Sequence, residues 1–237
     1  FAQDKNPADL LRAARLALEG VAADFALRRV ENQDWERVWM EDYRPMHFGR
    51  RLSVYPAHIP PADSSRINII LDPGLAFGTG THPTTALCLR WLDACELEGK
   101  TCIDYGCGSG ILAVAALKLG ASRVYAADID TQALTATRQN AERNRVISGL
   151  LIHTPDQIGA VQADVLLANI LSNTIIQLAA VLTALLKPGG SLVLSGILAT
   201  QAAAVRAAFI PAFDFGLEET VDGWVLLAGI KKSDQKR

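Results

Sequence analysis

The 237-residue chain has no excess of charge of either sign: 23 Lys plus Arg stand against 25 Asp plus Glu, a formal net charge of −2. It therefore has no global basic field to hold nucleic-acid phosphates, and no direct nucleic-acid partner is expected. Long hydrophobic runs are also missing. The greasiest stretch, Ile175 to Leu186, is interrupted by Gln177 and Thr183 and closed by Lys187-Pro188-Gly189-Gly190. That is well short of the roughly 20 apolar residues that span a bilayer, so it reads as a buried helix and no membrane partner is expected. Cysteine is scarce. Cys88, Cys95, Cys102 and Cys107 form no C-x-x-C pair and have no His at ligand spacing, so neither a metal site nor a disulfide framework is expected, and reduced thiols in a cytoplasmic protein are the default. The opening Phe1-Ala2-Gln3-Asp4-Lys5-Asn6-Pro7 is neither a basic n-region nor an apolar h-region. It reads as no signal peptide, and the absence of Met as a fragment.

Half of the residues are hydrophobic and 20% are charged, which excludes disorder and gives a globular chain with enough length for one full domain plus an accessory piece. Leu10, Leu11, Ala14 and Leu18 recur at helical spacing, and Phe25, Leu27 and Val30 alternate with Ala26, Arg28 and Arg29 as in a half-buried strand. Asp34 to Glu41 reads as a second helix, with Trp35 and Trp39 one turn apart. Pro45, Pro56, Pro60, Pro61 and the polar run Asp63-Ser64-Ser65-Arg66 mark a connection ending near residue 65.

From there the chain alternates strand and helix, the pattern of a mostly parallel sheet covered on both faces. The spacing predicts strands at Thr101–Tyr105, Ser122–Ala127, Leu150–His153, Ala163–Ala168 and Ser191–Ser195, and helices at Ile111–Leu119, Thr131–Arg143, Thr174–Leu186 and Thr200–Phe209. Leu217–Val221 and Trp224–Ile230 flank Asp222-Gly223, a type I′ hairpin signal. The sheet thus closes with an antiparallel pair, which a plain dinucleotide fold does not. Lys231 to Arg237 reads as a solvated tail.

Asp104-Tyr105-Gly106-Cys107-Gly108-Ser109-Gly110 sits between the first of these strands and its helix, where backbone N–H groups and a helix N-terminus face the crevice at the carboxyl end of a parallel sheet. The nicotinamide and flavin fingerprint G-x-G-x-x-G fails here, because the slot for its last glycine is Ile111. Asp104 would repel a pyrophosphate but attract an ammonium or sulfonium cation. Asp128, 22 residues after Gly106, stands where an acid accepts the ribose hydroxyls of an adenosine. Together these features suit S-adenosylmethionine. Singly, Asp104 could cap a turn and Asp128 the helix from Thr131.

A second element precedes this unit. Asp72 to Thr85 holds three Gly (Gly74, Gly78, Gly80) and four Thr in fourteen residues, with Phe77 and His82. Its glycines allow close backbone approach to a ligand. Thr81 with Pro83 reads as a helix start feeding Ala86 to Trp91, and His82 there is either a capping or packing residue or a catalytic one. The third element, Asn169-Ile170-Leu171, ends the fourth strand beside the crevice. The Asn169 amide either offers its oxygen to an incoming amine and its N–H₂ to the cofactor, or caps the next helix.

These three elements together resemble the class I S-adenosylmethionine-dependent methyltransferases, and the string from Asp72 to Thr85 is similar to the bacterial PrmA family, which methylates the eleventh ribosomal protein of the large subunit at the stalk base. The likeness runs from about Gln33 through Ile230 and includes Asp34-Trp35-Glu36-Arg37-Val38-Trp39, Pro45 and Phe48-Gly49. It also includes Asn169-Ile170-Leu171, where many amine methyltransferases carry N-P-P-Y. The resemblance implies cofactor contacts from Thr85, Gly106, Asp128 and Asn169, with the Phe77 to Gly80 loop near the methyl group. Asp104, Gly108, Gly78, Thr79 and Gly80 complete the candidate cofactor set, and Asn169, Phe77 and His82 make up the candidate catalytic set. It also implies an α/β fold: a doubly wound, mostly parallel seven-stranded sheet closing in an antiparallel hairpin. The expected division is 1–43 for a partial recognition domain of ferredoxin-like type, 44–65 for a linker and 66–237 for the methyltransferase domain.

The implied reaction transfers methyl groups to lysine side chains and an α-amine, up to trimethylation. The acceptor nitrogen must be neutral, which desolvation and a nearby cation both promote, and no His/Asp or Glu dyad near the loops argues for a strong base. Two other readings stand beside this one: a methyltransferase for a release-factor glutamine, an RNA base or a small amine, and a non-catalytic nucleotide-binding module. Ile170-Leu171 lacks the aromatic that would stack on a planar acceptor, which favours an aliphatic amine.

Overall fold

The structure, a computed structural model, describes residues 44–72, 78 and 80–233. The helices read at Leu10–Leu18 and Asp34–Glu41, the strand at Phe25–Val30, the residues Phe77 and Thr79 and most of the polar tail lie outside the described residues.

Strands β4 (Thr101–Tyr105), β5 (Arg123–Ala127), β6 (Leu150–His153), β7 (Ala163–Asn169), β8 (Leu186–Leu198), β9 (Phe213–Val221) and β10 (Trp224–Lys231) form one seven-stranded sheet in the order β6-β5-β4-β7-β8-β10-β9. The first five are mutually parallel, and β10 runs antiparallel to both β8 and β9. Asp222 (φ 50°) and Gly223 (φ 78°) are both left-handed, as the two central residues of a type I′ turn must be. The chain reverses direction between β5–β4 and β4–β7, so the crevice at the switch point opens above β4 and β7.

Helices α1 (Pro83–Ala94), α2 (Ile111–Lys118) and α3 (Thr131–Arg143) cover one face, and α4 (Ser172–Gln177), α5 (Ala179–Ala184) and α6 (Ala202–Phe209) the other. Period-two alternation sorts the strands between the two cores. Val165 and Leu167 of β7 face α1 and α2, while Leu166 and Ala168 join Ile175, Leu182, Val205 and Phe209. Helix α2 is apolar nearly all round because it is enclosed, touching β3 (Ile67–Leu71), α1 and α3 as well as the sheet.

A small sheet precedes this layer: β1 (Met46–Phe48), β2 (Leu52–Pro56) and β3 (Ile67–Leu71), with β1–β2 antiparallel and β2–β3 parallel. Two of these strands fall in the stretch that the prolines mark as a connection. They form because Phe48, Leu52 and Val54 are buried in the same core as α1 and α2. All described residues fall within one compact unit, Met40–Arg237. One buried carboxylate fastens the small sheet: Asp93, near the end of α1, accepts N–H bonds from Arg50 (2.7 Å), Arg51 (2.7 Å) and Leu52 (2.9 Å). Gly49 is left-handed (φ 57°), and a Cβ there would stand 2.0 Å from Asp93 Oδ2.

Three expectations are corrected. The single helix Thr174–Leu186 is two short helices that begin at Ser172 and break at Leu178, and Leu186 already pairs with Ala163 as strand; its apolar pattern carries no mark of that pairing. The strand Ser191–Ser195 extends from Leu186 to Leu198, with Lys187-Pro188-Gly189-Gly190 bulging where the partner register jumps from Ala163 to Val165. Helix α1 is capped by His82, not by Thr81, and runs on to Ala94.

Asp93→Ala is expected to destabilise the fold by about 3 kcal/mol or more, because three backbone N–H groups lose their acceptor at a site with little water. Denaturant unfolding checks this, and a change under about 1 kcal/mol would show the nest to be dispensable.

Candidate active site

The chain leaves β4 and enters α2 through three left-handed glycines: Gly106 (φ 80°), Gly108 (φ 53°) and Gly110 (φ 77°). This loop is held from several sides. Gly106 and Cys107 both donate N–H to the Ala127 carbonyl at the end of β5, at 2.7 and 3.0 Å, and Gly110 N–H donates to the Cys107 carbonyl at 2.8 Å. Thr137 of α3 donates its hydroxyl to the Gly108 carbonyl at 3.0 Å. A Cβ on Gly106 would fall 2.2 Å from Ile170 Cγ2, and one on Gly110 within 2.9 Å of Thr137. The glycines are therefore required by packing as well as by φ.

Asp104 is 1% exposed. Its Oδ2 accepts the Ala113 N–H at 3.0 Å, capping α2 in place of the side chain that Gly110 lacks. Its Oδ1 is buried and has no partner. Burial, with the nearby Asp128 charge, pushes the carboxyl up to about 7 against the pull of the Ala113 N–H. An orphaned carboxylate oxygen beneath a glycine loop fits a ligand that brings a cation, directly or through a water. That fits the ammonium of an S-adenosylmethionine-like molecule. Asp128 is not the cap of α3, a role taken by Asp130. Instead Asp128 accepts the Gly108 N–H at 3.0 Å and the Asp130 N–H at 3.0 Å, so it ties the glycine loop to the end of β5. Ile129 beside it is 88% exposed.

At the end of β7, Asn169 Nδ2 donates to Thr85 Oγ1 at 3.3 Å. The structure thus brings together two candidates 84 positions apart in the chain. Thr85 takes one of the two N–H donors of this amide, and the orientation turns the carbonyl oxygen away from Thr85. Nor does Asn169 cap the following helix, whose N-cap is Leu171 without a side-chain bond. Ile170 fills a slot between two glycines: besides its contact with Gly106, a Cβ on Gly196 of β8 (φ 82°) would come within 2.3 Å of the Ile170 carbonyl oxygen. Leu171, 73% exposed, flanks the opening.

His82 Nδ1 lies 2.8 Å from Thr84 Oγ1 and accepts the Thr84 N–H at 3.3 Å, and its ring meets Trp224 edge-on at 4.9 Å. Gly78 is joined to the glycine loop by Ser109, and Gly80 is buried against Met46, Phe48 and Ile111. Ser109, Asn140, Gly196, Ile129 and Trp224 escaped the sequence reading. Ser109 alone carried a signal, as the polar residue inside the glycine string; the others act across the fold. Among the described residues no group of His, Cys, Asp and Glu could hold a metal ion.

A mostly parallel sheet of this order, closed by an antiparallel hairpin and with a glycine loop after β4 at the switch point, defines a Rossmann-like S-adenosylmethionine-dependent methyltransferase. The model of the family described as "Ribosomal protein L11 methyltransferase (PrmA)" matches residues 1–232. The chain is 51% identical over 229 residues to the ribosomal protein L11 methyltransferase of Hahella chejuensis, covering 97% of this chain and 78% of that one. It is 49% identical over 233 residues to that of Azotobacter vinelandii, covering 98% and 80%. The crystal structure of a ribosomal protein L11 methylase from Lactobacillus delbrueckii subsp. bulgaricus superposes with a TM-score of 0.74 at 31% identity, over 81% of this chain and 100% of that one. The chain belongs to the PrmA family.

A cation at Asp104 requires the carboxylate, whereas the ligand-free group titrates near 7. Binding should therefore release a proton below pH 7 and tighten as the pH rises. Calorimetry with S-adenosylhomocysteine is expected to show about tenfold higher affinity at pH 8 than at pH 6, and Asp104→Asn should flatten that profile. A flat profile in the unsubstituted protein would remove Asp104 from the cation site.

Proposed function

We propose that this chain transfers methyl groups from S-adenosylmethionine to amine nitrogens of ribosomal protein L11 at the stalk base, lysine side chains and the α-amine among them. The observation that carries the acceptor class is the end of β7. Asn169 is pinned through Nδ2 by Thr85, which leaves its carbonyl oxygen as an acceptor for an amine N–H, and the next residues are Ile170 and Leu171 rather than a stacking aromatic.

When bound, S-adenosylmethionine supplies a methyl group activated by a sulfonium cation. The protein's own part is to orient and to dry. The Gly106–Gly110 loop, with its N–H groups largely used to hold its own shape, offers a close backbone approach to the methionine half, and Asp104 supplies the negative charge beneath it. Asp128 stands at the ribose position, and the exposed face of Ile129 offers apolar surface to the adenine. Gly78 and Gly80 are assigned to the methyl side of the site, and the family resemblance gives Phe77 and Thr79 the same assignment. Asn169 aims the acceptor nitrogen, while His82 holds the start of α1 and so places Thr85 one turn along it. Proton removal then falls to desolvation and to the nearby cation, which lower the amine pKa, and not to a side-chain base.

The chain spans 78% of the Hahella relative. Residues 1–43, on this reading, are part of the region that recognises the protein substrate, 44–65 lead from it and 66–237 carry the chemistry. Among the described residues no helix is long and apolar enough to cross a membrane. The net charge of −2 supports an enzyme acting on a protein rather than directly on nucleic acid, and a ribosomal-protein substrate would place it in the cytoplasm.

Mass spectrometry of L11 after incubation with this chain and S-adenosylmethionine should show methyl increments on lysines and the α-amine; modification confined to glutamine or RNA bases would replace the reading. Asn169→Ala is expected to lower turnover by about tenfold or more, with S-adenosylhomocysteine affinity nearly unchanged. Near-normal turnover in that variant would take the aiming role from Asn169.

A further inference from the structure

Ser109 is the point at which two loops meet. Its backbone belongs to the glycine loop, its side chain is 1% exposed, and its hydroxyl donates to the Gly78 carbonyl at 2.6 Å. The Ser109 carbonyl in turn accepts Asn140 Nδ2 at 2.9 Å, and the same amide's Oδ1 accepts the Asp72 N–H at 3.1 Å. Asp72 and Gly78 both belong to the glycine- and threonine-rich segment Asp72–Thr85. Asp72 is thus tied to Ser109 through Asn140, and Gly78 through the hydroxyl. Asn140 is itself 1% exposed and is further fixed by Arg143, whose Nη1 donates to Oδ1 at 2.9 Å.

We propose that Ser109 is a positioning residue for methyl transfer: its hydroxyl registers Gly78 against the glycine loop that would hold the cofactor. This rests on the placement of Gly78–Gly80 beside the methyl group given above. The bond is separable from cofactor binding. The glycine loop keeps its own supports without the hydroxyl: Ala127 O on two N–H groups, Asp128 on Gly108 N–H, Thr137 on Gly108 O and the Gly110–Cys107 turn. The Ile111 N–H that also reaches Ser109 Oγ does so at 3.4 Å, a weak contact. Removing the hydroxyl therefore frees Gly78 and leaves the cofactor cradle in place. A main-chain carbonyl held at 2.6 Å by a buried hydroxyl is a short, direct link, and misplacement by about an ångström is enough to cost up to a hundredfold in an aligned transfer.

The test is Ser109→Ala in the full chain, read in two ways. Turnover on L11 is expected to fall about tenfold or more, while the S-adenosylhomocysteine dissociation constant stays within about twofold and the melting temperature is little changed. Ser109→Thr, which keeps the hydroxyl, should recover most of the turnover. Hydrogen exchange gives the second readout and needs no acceptor. In the unsubstituted protein S-adenosylhomocysteine should slow exchange both at 106–112 and at 78–85, and in Ser109→Ala the slowing should persist at 106–112 and vanish at 78–85. Slowing that survives at both segments, or is lost at both, overturns the proposal, as does a fall in turnover matched by an equal fall in cofactor affinity. If the unsubstituted protein bound S-adenosylhomocysteine but left L11 unmodified, the L11 reading would fail, and the exchange pattern alone would decide the role of Ser109.

Discussion

The site depends on one backbone manoeuvre, the return of the chain from β4 into α2 through glycines with positive φ. An L side chain at such φ costs roughly 1–2 kcal/mol, and at Gly106 and Gly110 it would also collide with Ile170 or Thr137. The turn aims the N-terminus of α2 at the crevice but leaves the helix without a capping side chain. Asp104 supplies the cap from the end of β4, with one oxygen on Ala113 and the other buried unpaired. The same carboxylate thus completes a helix in the free protein and stores an unsatisfied charge site for a cationic ligand. Its raised titration point follows from that double use.

From this turn the fold distributes positional information through small contacts. Ile170 sits between Gly106 of the loop and Gly196 of β8, so the strand end that carries Asn169 is seated against the cofactor loop on one side and the neighbouring strand on the other. Ser195, next to Gly196, donates its hydroxyl to the Thr84 carbonyl at 3.2 Å, so β8 also holds the first turn of α1, where Thr85 meets Asn169. Helix α3 works from the opposite side. Thr137 holds Gly108, Asn140 joins Ser109 to Asp72, and Asn144 accepts from Ile70 N–H and donates to Ile70 O at the end of β3. These are polar groups in a dry core with their bonds made, which is where such groups specify one arrangement rather than merely stabilise it.

Much of this was legible from sequence where the signal is local. β4 and α3 fall on the residues read for them, Thr101–Tyr105 and Thr131–Arg143, because each is bounded by glycine, by Asp or by a change of period. The hairpin at Asp222-Gly223 was readable because type I′ geometry demands those residues. The illegible parts are non-local. Nothing in Arg50-Arg51-Leu52 announces that its N–H groups bind a carboxylate 41 residues or more away, so β1 and β2 read as a connection. The break at Leu178 and the early start of β8 are set by pairing with Ala163, which an unbroken apolar pattern cannot show. Among site residues, the glycine loop and Asp128 stood out by composition, whereas the pairing of Asn169 with Thr85 and the Ser109–Gly78 link exist only once the fold brings separate segments together.

With the proposed amine acceptors, the energetics of the acceptor would let such a site manage without a side-chain base. A lysine with pKa near 10.4 carries a deprotonation cost of about 4.6 kcal/mol at pH 7, and an α-amine near 7.8 only about 1.1 kcal/mol. Bringing an ammonium into an apolar opening beside a fixed cation penalises its charged form on both counts, and shifts of 3–5 units are within what burial achieves. The strand end is suited to that: Leu171 is exposed next to Ile170, and no carboxylate is bonded to Asn169 among the described residues. A carboxylate at that point would stabilise the ammonium and work against the reaction. On the proposed reading, the neutral amide of Asn169 would accept one N–H without holding the charge, so that the proton could leave to solvent with the lone pair aimed. That division of labour would make alignment the dominant contribution, and the contacts that would set it lie at Thr85, Ile170 and Ser109.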